Sequence, residues 1–202
     1  MLTRRHIRVK VMQSVYSFSL SKSDRLESEV AFFKGSVAAT FDLYLLLLAL
    51  IKAVAAAAEE QLETYRKNKI EDQKRIAALE LLLQNSASRF IVQHPILAQL
   101  LKNKKIDQWD LEFKFLKDLI NLLFESEAFA QHTALEAPNA KDDVQLLVYF
   151  FRHIITPHPY LFNYLEDREL TWVDDLPIVN TFLLKTLKKI KVNDVSSLPF
   201  PQ

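Results

Sequence analysis

Cysteine is absent from the chain, and glycine occurs once, at Gly35. Without thiols there are no disulfides, no thiolate metal sites and no cysteine nucleophile, a composition that fits a reducing cytosol. With one glycine there is no P-loop and no dinucleotide-binding turn, because both use several glycines to bring backbone N–H groups against phosphates. The same shortage argues against a strand-rich fold, whose tight turns need residues at positive φ. An excess of one charge is lacking too: 26 Lys and Arg against 25 Asp and Glu leave a net +1, so the whole-molecule field singles out no polyanionic partner. Apolar runs are short for a membrane. Leu43 to Ile51 is unbroken, but Asp42 and Lys52 bound it, and a span needs about 20 apolar residues. The segment Leu43 to Ala58 is therefore expected to be a central helix buried in a cytoplasmic protein, with no membrane association.

What is present is helical periodicity. At 202 residues the chain can hold one large helical domain or two small ones, and a chain of that size buries roughly two-thirds of its unfolded surface. Prolines at 95, 138, 157, 159, 177, 199 and 201 punctuate segments whose apolar residues recur at helical spacing. The expected fold class is all-α, a multi-helix bundle of roughly seven to nine helices. The first helix is predicted over Arg4 to Leu20, with Ile7, Val11, Val15 and Phe18 on one stripe and Val9, Met12 and Tyr16 on a second. Two apolar stripes predict burial on two sides. Asp24 and Glu27 read as a capping box for the next helix, and Gly35-Ser36 is predicted to break or kink the stretch that runs on to Asn68. A helix from Glu71 to Gln93 follows; another starts at Asp142-Asp143 and is stopped by Pro157.

An internal repeat is read in the second half. His94-Pro95-Ile96-Leu97, Leu101, Ile106 and Trp109-Asp110 recur as His158-Pro159-Tyr160-Leu161, Leu165, Leu170 and Trp172, with Asp174 beyond. Each copy leads into a longer amphipathic helix, Leu111 to Phe124 and Leu176 to Ile190, as duplicated helical hairpins do. The resulting division is an N-terminal helical region at 1–92, a region with two His-Pro hairpins at 93–192, and a frayed Ser/Pro-rich tail at 193–202.

The strongest functional signal is local charge. Before the first acidic residue, Asp24, the chain carries Arg4, Arg5, Arg8, Lys10 and Lys22. Arg8 and Lys10 interrupt the apolar run that a secretion signal would need. Cations in the first turn of a helix oppose its dipole by about 0.3–1 kcal/mol each when exposed, so the cluster calls for a compensating anion. Phosphate fits, because guanidinium makes planar bidentate contacts with it and stacks on bases, and single-stranded RNA offers both. Lys10, Gln13, Tyr16 and His6 are placed to add contacts. The alternative is a non-enzymatic helical scaffold whose basic first helix docks an acidic protein surface.

Other constellations read as structural. Lys185, Lys188 and Lys189, and likewise Lys102, Lys104 and Lys105, look like solvated faces or turns near helix C-termini. His153 and His158 straddle Pro157, which breaks helical metal-ligand spacing, so neither a metal nor a cofactor is expected. Glu166, Asp167, Glu169, Asp174 and Asp175 are clustered in turns, with Asp174 or Asp175 suited to capping before Pro177. The fourteen phenylalanines are read as core. No catalytic residues are assigned.

The segment Arg4-Arg5-His6-Ile7-Arg8-Val9-Lys10-Val11-Met12-Gln13-Ser14-Val15-Tyr16 resembles the opening helix of the NusB family, with Arg4, Arg5, Arg8, Gln13 and Tyr16 on the family's pattern. The remainder is similar to elongated Bacteroidetes members, through Asp42-Leu43-Tyr44-Leu45-Leu46-Leu47-Leu48, Val179-Asn180-Thr181 and Lys185-Thr186-Leu187-Lys188-Lys189-Ile190. The resemblance implies an all-helical transcription antitermination factor that binds boxA-type single-stranded RNA together with the NusE-type ribosomal protein of the elongation machinery. The family's usual second helical half has no counterpart in the residues after Ile190.

Overall fold

A run of leucines with no polar interruption cannot present a solvated face, so the helix that carries it must be surrounded. In the computed structural model, which describes residues 2–21, 25–69, 71–106 and 108–200, that helix is the axis of the fold. Ten α-helices and no strand are found among the described residues, in the order α1 (Arg4–Ser21), α2 (Leu26–Lys67), α3 (Gln73–Gln84), α4 (Ser86–Val92), α5 (Pro95–Lys104), α6 (Phe113–Phe124), α7 (Glu127–Thr133), α8 (Ala140–Tyr149), α9 (Pro159–Arg168) and α10 (Trp172–Leu187). Leu43 to Leu50 of α2 are all buried. Along its length α2 packs against α3, α4, α5, α6 and α10, and each fully buried leucine contributes about 1.5–3 kcal/mol. By length and composition alone α2 is apolar enough to cross a membrane, and 67 % of its most apolar 18-residue window is buried inside the fold. One hydrophobic cluster joins residues of 1–92 to residues of 93–192, so the two regions share a core.

Several boundaries differ from those read in the sequence. Gly35 does not break α2 into two elements; helix runs through it without interruption from Leu26 to Lys67. Glycine lowers helix propensity by only about 1 kcal/mol, which the packing of the following turns outweighs. The stretch predicted as one helix over Glu71 to Gln93 is instead split at Asn85, whose backbone leaves the helical region (φ −54, ψ 114) and whose side chain accepts from Ser88 N to start α4. The helix expected from Asp142-Asp143 begins two residues earlier, at Ala140, with Asn139 and Asp142 forming its capping box, and α8 continues as a π-helical turn over Phe150–Ile155 before Pro157. The capping role expected of Asp24 lies outside the described residues.

The tail is not frayed up to Phe200. His94 Nδ1 accepts from Leu97 N, so Nε2 carries the proton and donates to the Val195 carbonyl at 3.0 Å. Leu198 is buried and the Tyr44 hydroxyl donates to the Pro199 carbonyl at 3.0 Å, with Phe200 edge-on to Tyr44 and His94. Burial of Tyr44 pushes its pKa above the ordinary phenol range.

The two His-Pro segments begin alike and then diverge. His94 and His158 are both N-caps with proline at the next position. Trp109 and Trp172 both donate their indole N–H to carbonyls of α2, at Leu46 and Ala39, each at 2.8 Å. Trp109, however, sits in a separate 3-10 turn (Gln108–Leu111), fully buried against Tyr164, whereas Trp172 is the first residue of α10 and half-buried. The second copy has one residue fewer between histidine and tryptophan, and it lacks the intervening turn. α10 therefore begins at Trp172 and carries Pro177 inside it, where a start at Leu176 was expected.

Candidate nucleic-acid interface

α1 is a helix turned inside out. Its buried residues are Lys10 and Ser14, while Val11, Met12, Val15 and Tyr16 are exposed, Met12 and Tyr16 by about two-thirds (65 % and 66 %). The expectation of burial on two apolar sides is overturned. α1 packs against α2, and its buried Lys10 meets the Asp175 carboxylate of α10 beside buried Thr40 of α2. A polar seat selects the polar side of the incoming helix.

Lys10 Nζ lies 2.8 Å from Asp175 Oδ2, with both side chains about 95 % removed from solvent (6 % and 5 % exposed). Thr40 Oγ1 donates to the same carboxylate oxygen at 2.6 Å. Lys10, read in the sequence as an RNA contact, is thus turned inward; its ammonium is committed to a charge that would otherwise be buried alone. Asp175, read as a capping residue, is the other half of that pair, and the cap position of α10 falls to Thr171. Gln13 Nε2 reaches Asp174 Oδ2 at 3.4 Å, a weak contact at an exposed rim.

Arg4, Arg5 and Arg8 remain on the solvent side of α1. Among the described residues no carboxylate forms a salt bridge with any of them, and no acidic residue lies in the first turn. His6 Nδ1 accepts from Thr3 N at 3.2 Å, which ties the chain entry to the same turn. The site brings three guanidiniums together at a helix start, with exposed Tyr16 farther along the helix, Gln13 at the α10 edge, and Lys10 beneath as an anchor.

A second polar cluster escaped sequence reasoning. Asp143 accepts from His132 Nε2 at 2.9 Å through one oxygen, and from Ser86 N and Oγ at 2.8 and 2.5 Å through the other. Asn85 Nδ2 bonds the Asp143 carbonyl at 3.2 Å. Serine, histidine and aspartate are present, but serine and histidine each contact aspartate and the histidine is not bonded to the serine oxygen, so the base that a nucleophilic serine needs is not in place. The cluster instead ties α4, α7 and α8. Nothing in the sequence spacing signals it, because its members are brought together only by packing.

The remaining cationic sets are dispersed. Lys185, Lys188 and Lys189 are exposed at the end of α10. Lys104 pairs with Asp42 at 2.6 Å, and Lys105 closes α5 in the left-handed region at φ 54. His158 Nε2 bonds Asp118 at 3.0 Å, and among the described residues no group of three or more His, Asp or Glu is arranged to hold a metal ion. Compared with known proteins, the chain matches no family model, no curated protein and no solved structure.

Proposed function

We propose that the chain is a NusB-like, non-enzymatic RNA-binding factor of transcription antitermination, acting in the cytoplasm with a NusE-type ribosomal protein on boxA-type single-stranded RNA. The observation that carries this reading is the exposed trio Arg4, Arg5 and Arg8 at the start of α1, without a salt bridge among the described residues. Each guanidinium can grip a phosphate with two parallel N–H bonds or stack on a base. Tyr16 offers a further ring to an unstacked base, and Gln13 an amide at the edge. The Lys10–Asp175 pair fixes the helix that displays them, which lowers the ordering that binding would otherwise require.

Replacing Arg4, Arg5 and Arg8 together by alanine is expected to weaken binding of a labelled boxA-type RNA while leaving the helical signal in circular dichroism unchanged. The logarithmic salt slope should flatten by roughly 0.7 for each phosphate of the single strand that is no longer gripped. Lysine at all three positions should keep part of that slope and forgo the bidentate grip. Equal affinity and equal slope for wild type and the alanine variant, with and without the ribosomal protein, would retire RNA as the ligand and favour the protein-docking alternative.

A further inference from the structure

Exposed apolar side chains are concentrated on α1 and the opening turns of α2, the same hairpin that carries the arginines. Of the eighteen large hydrophobic residues that are exposed among the described residues, nine fall between Val9 and Phe32. Four of the nine, Val11, Val15, Leu26 and Val30, lie on two stripes that share a groove. On α1 the residues Arg4, Arg8, Val11, Val15 and Phe18 follow one another at alternating steps of four and three. Leu26, Val30 and Phe33 do the same on α2, and the two stripes, together with Ser14 and Glu29, line one groove. Val15 and Leu26 are more than three-fifths exposed (62 % and 63 %). Steps of four and three are the spacing of a coiled-coil seam, in which each apolar side chain inserts between residues of a facing helix. Two such stripes side by side provide two helices of a three-helix coiled coil.

We propose that this groove receives an amphipathic α-helix of a partner protein, apolar along one face and acidic at the end that meets Arg4 and Arg8. The shape of the groove selects a helix, because the spacing on both walls is helical and the walls are long side chains suited to interdigitation. Its charge selects the flank: the α1 seam runs directly from Val11 into Arg8 and Arg4 with no acidic residue from Arg4 to Ser21, while the acidic Glu29 lies on the α2 wall between Leu26 and Val30. Val11, Val15, Leu26 and Val30 stay exposed along this groove, while α1 is fastened to α10 by the Lys10–Asp175 pair, about a third of a helical turn from the seam. The inference shares Arg4 and Arg8 with the RNA reading and differs from it at Val15 and Val30, which have nothing to offer a phosphate.

The test uses the full chain and a fluorescein-labelled synthetic helix of about three heptads, with leucine at the seam positions and glutamate at one end, held at concentrations where the peptide is monomeric. A companion peptide carries lysine in place of glutamate. Saturable binding of the glutamate peptide is expected, weakened about tenfold or more, a loss of at least 1.4 kcal/mol, by Val15→Asp or Val30→Asp and by exchanging the glutamates for lysines. Arg4→Glu with Arg8→Glu should reverse the preference between the two peptides. Both valines are exposed, so circular dichroism of the aspartate variants should match wild type. Absence of saturable binding, indifference to Val15→Asp, or equal binding of the two peptides would each overturn the proposal. So would a concentration-dependent dimer in sedimentation that Val15→Asp abolishes, which would seat a second copy of the chain in the groove.

Discussion

Lys10 is the residue whose role depends most on its surroundings. A lysine among arginines on a basic helix is ordinarily a surface charge, yet here its stem crosses the α1–α2 contact and its ammonium meets Asp175 away from water. Removing one partner of a buried pair leaves the other uncompensated, at about 3–5 kcal/mol, whereas replacing both by apolar groups is often neutral. Lys10→Met should therefore lower the free energy of urea unfolding by about 3–5 kcal/mol, and adding Asp175→Leu should recover most of that loss. A loss below about 1 kcal/mol for Lys10→Met is what a solvated pair would give, and would contradict the burial of this one. A second residue-scale expectation concerns Tyr160. Its hydroxyl donates to the Glu112 carboxylate, which with partial burial pushes the phenol up from 10.0 to about 12. The folded value lies above the unfolded one, so the contribution to stability is complete below pH 10 and is lost as pH rises through about 12. In a phenolate absorbance titration Tyr160→Phe should remove a late ionisation and make the alkaline fall in stability shallower; an unchanged titration would place the Tyr160 proton elsewhere.

At the scale of elements, α2 and the α3–α4 junction show how packing overrides or exploits local preference. Gly35 sits in mid-helix with nothing within 4 Å of an added Cβ. Alanine there should stabilise the protein by about 0.5–1 kcal/mol, through lower chain entropy in the unfolded state and higher helix propensity. Thermal unfolding measures it, and a lowered midpoint would mean that the helix is interrupted at this point after all. Asn85 does the opposite job. It caps α4 and donates to the Asp143 carbonyl, so Asn85→Ala should cost about 2 kcal/mol, from removal of the cap and a buried carbonyl left without that donor. Helix content was legible in the sequence because the 3.6-residue pattern is local. The break at Asn85 was not, since the apolar pattern runs on across it and only the Asp143 contact makes leaving the helix favourable.

At the scale of the whole molecule, stability is graded from the middle of α2 outward. Leu43 to Leu50 are enclosed on every side, whereas α1 and the opening turns of α2 project with an apolar face uncovered. Segments with few buried apolar contacts open with lower free energy than the core. Amide hydrogen exchange should therefore be faster by orders of magnitude in α1 and residues 26–34 than in residues 43–54, and a helix bound in the groove should slow it. Uniform protection along α2 would mean that the hairpin is as firmly packed as the core.

The sequence by itself determined that the chain is helical, that the leucine run is its centre, and that a basic cluster opens it, because each of these follows from composition or from contacts within a few turns. The guanidiniums of Arg4, Arg5 and Arg8 were legible as a displayed site for the same reason: nothing near them in the chain could neutralise them. Only the tertiary structure decided which side of α1 faces in. Periodicity ranks Val11, Val15 and Met12 above Lys10 and Ser14 for burial, and on an apolar seat that ranking would hold. The seat that Thr40 and Asp175 offer Lys10 is polar, and Asp175 lies 165 residues from Lys10 in the chain. A buried carboxylate must find a cation, so the helix turned its lysine inward and left its valines in water.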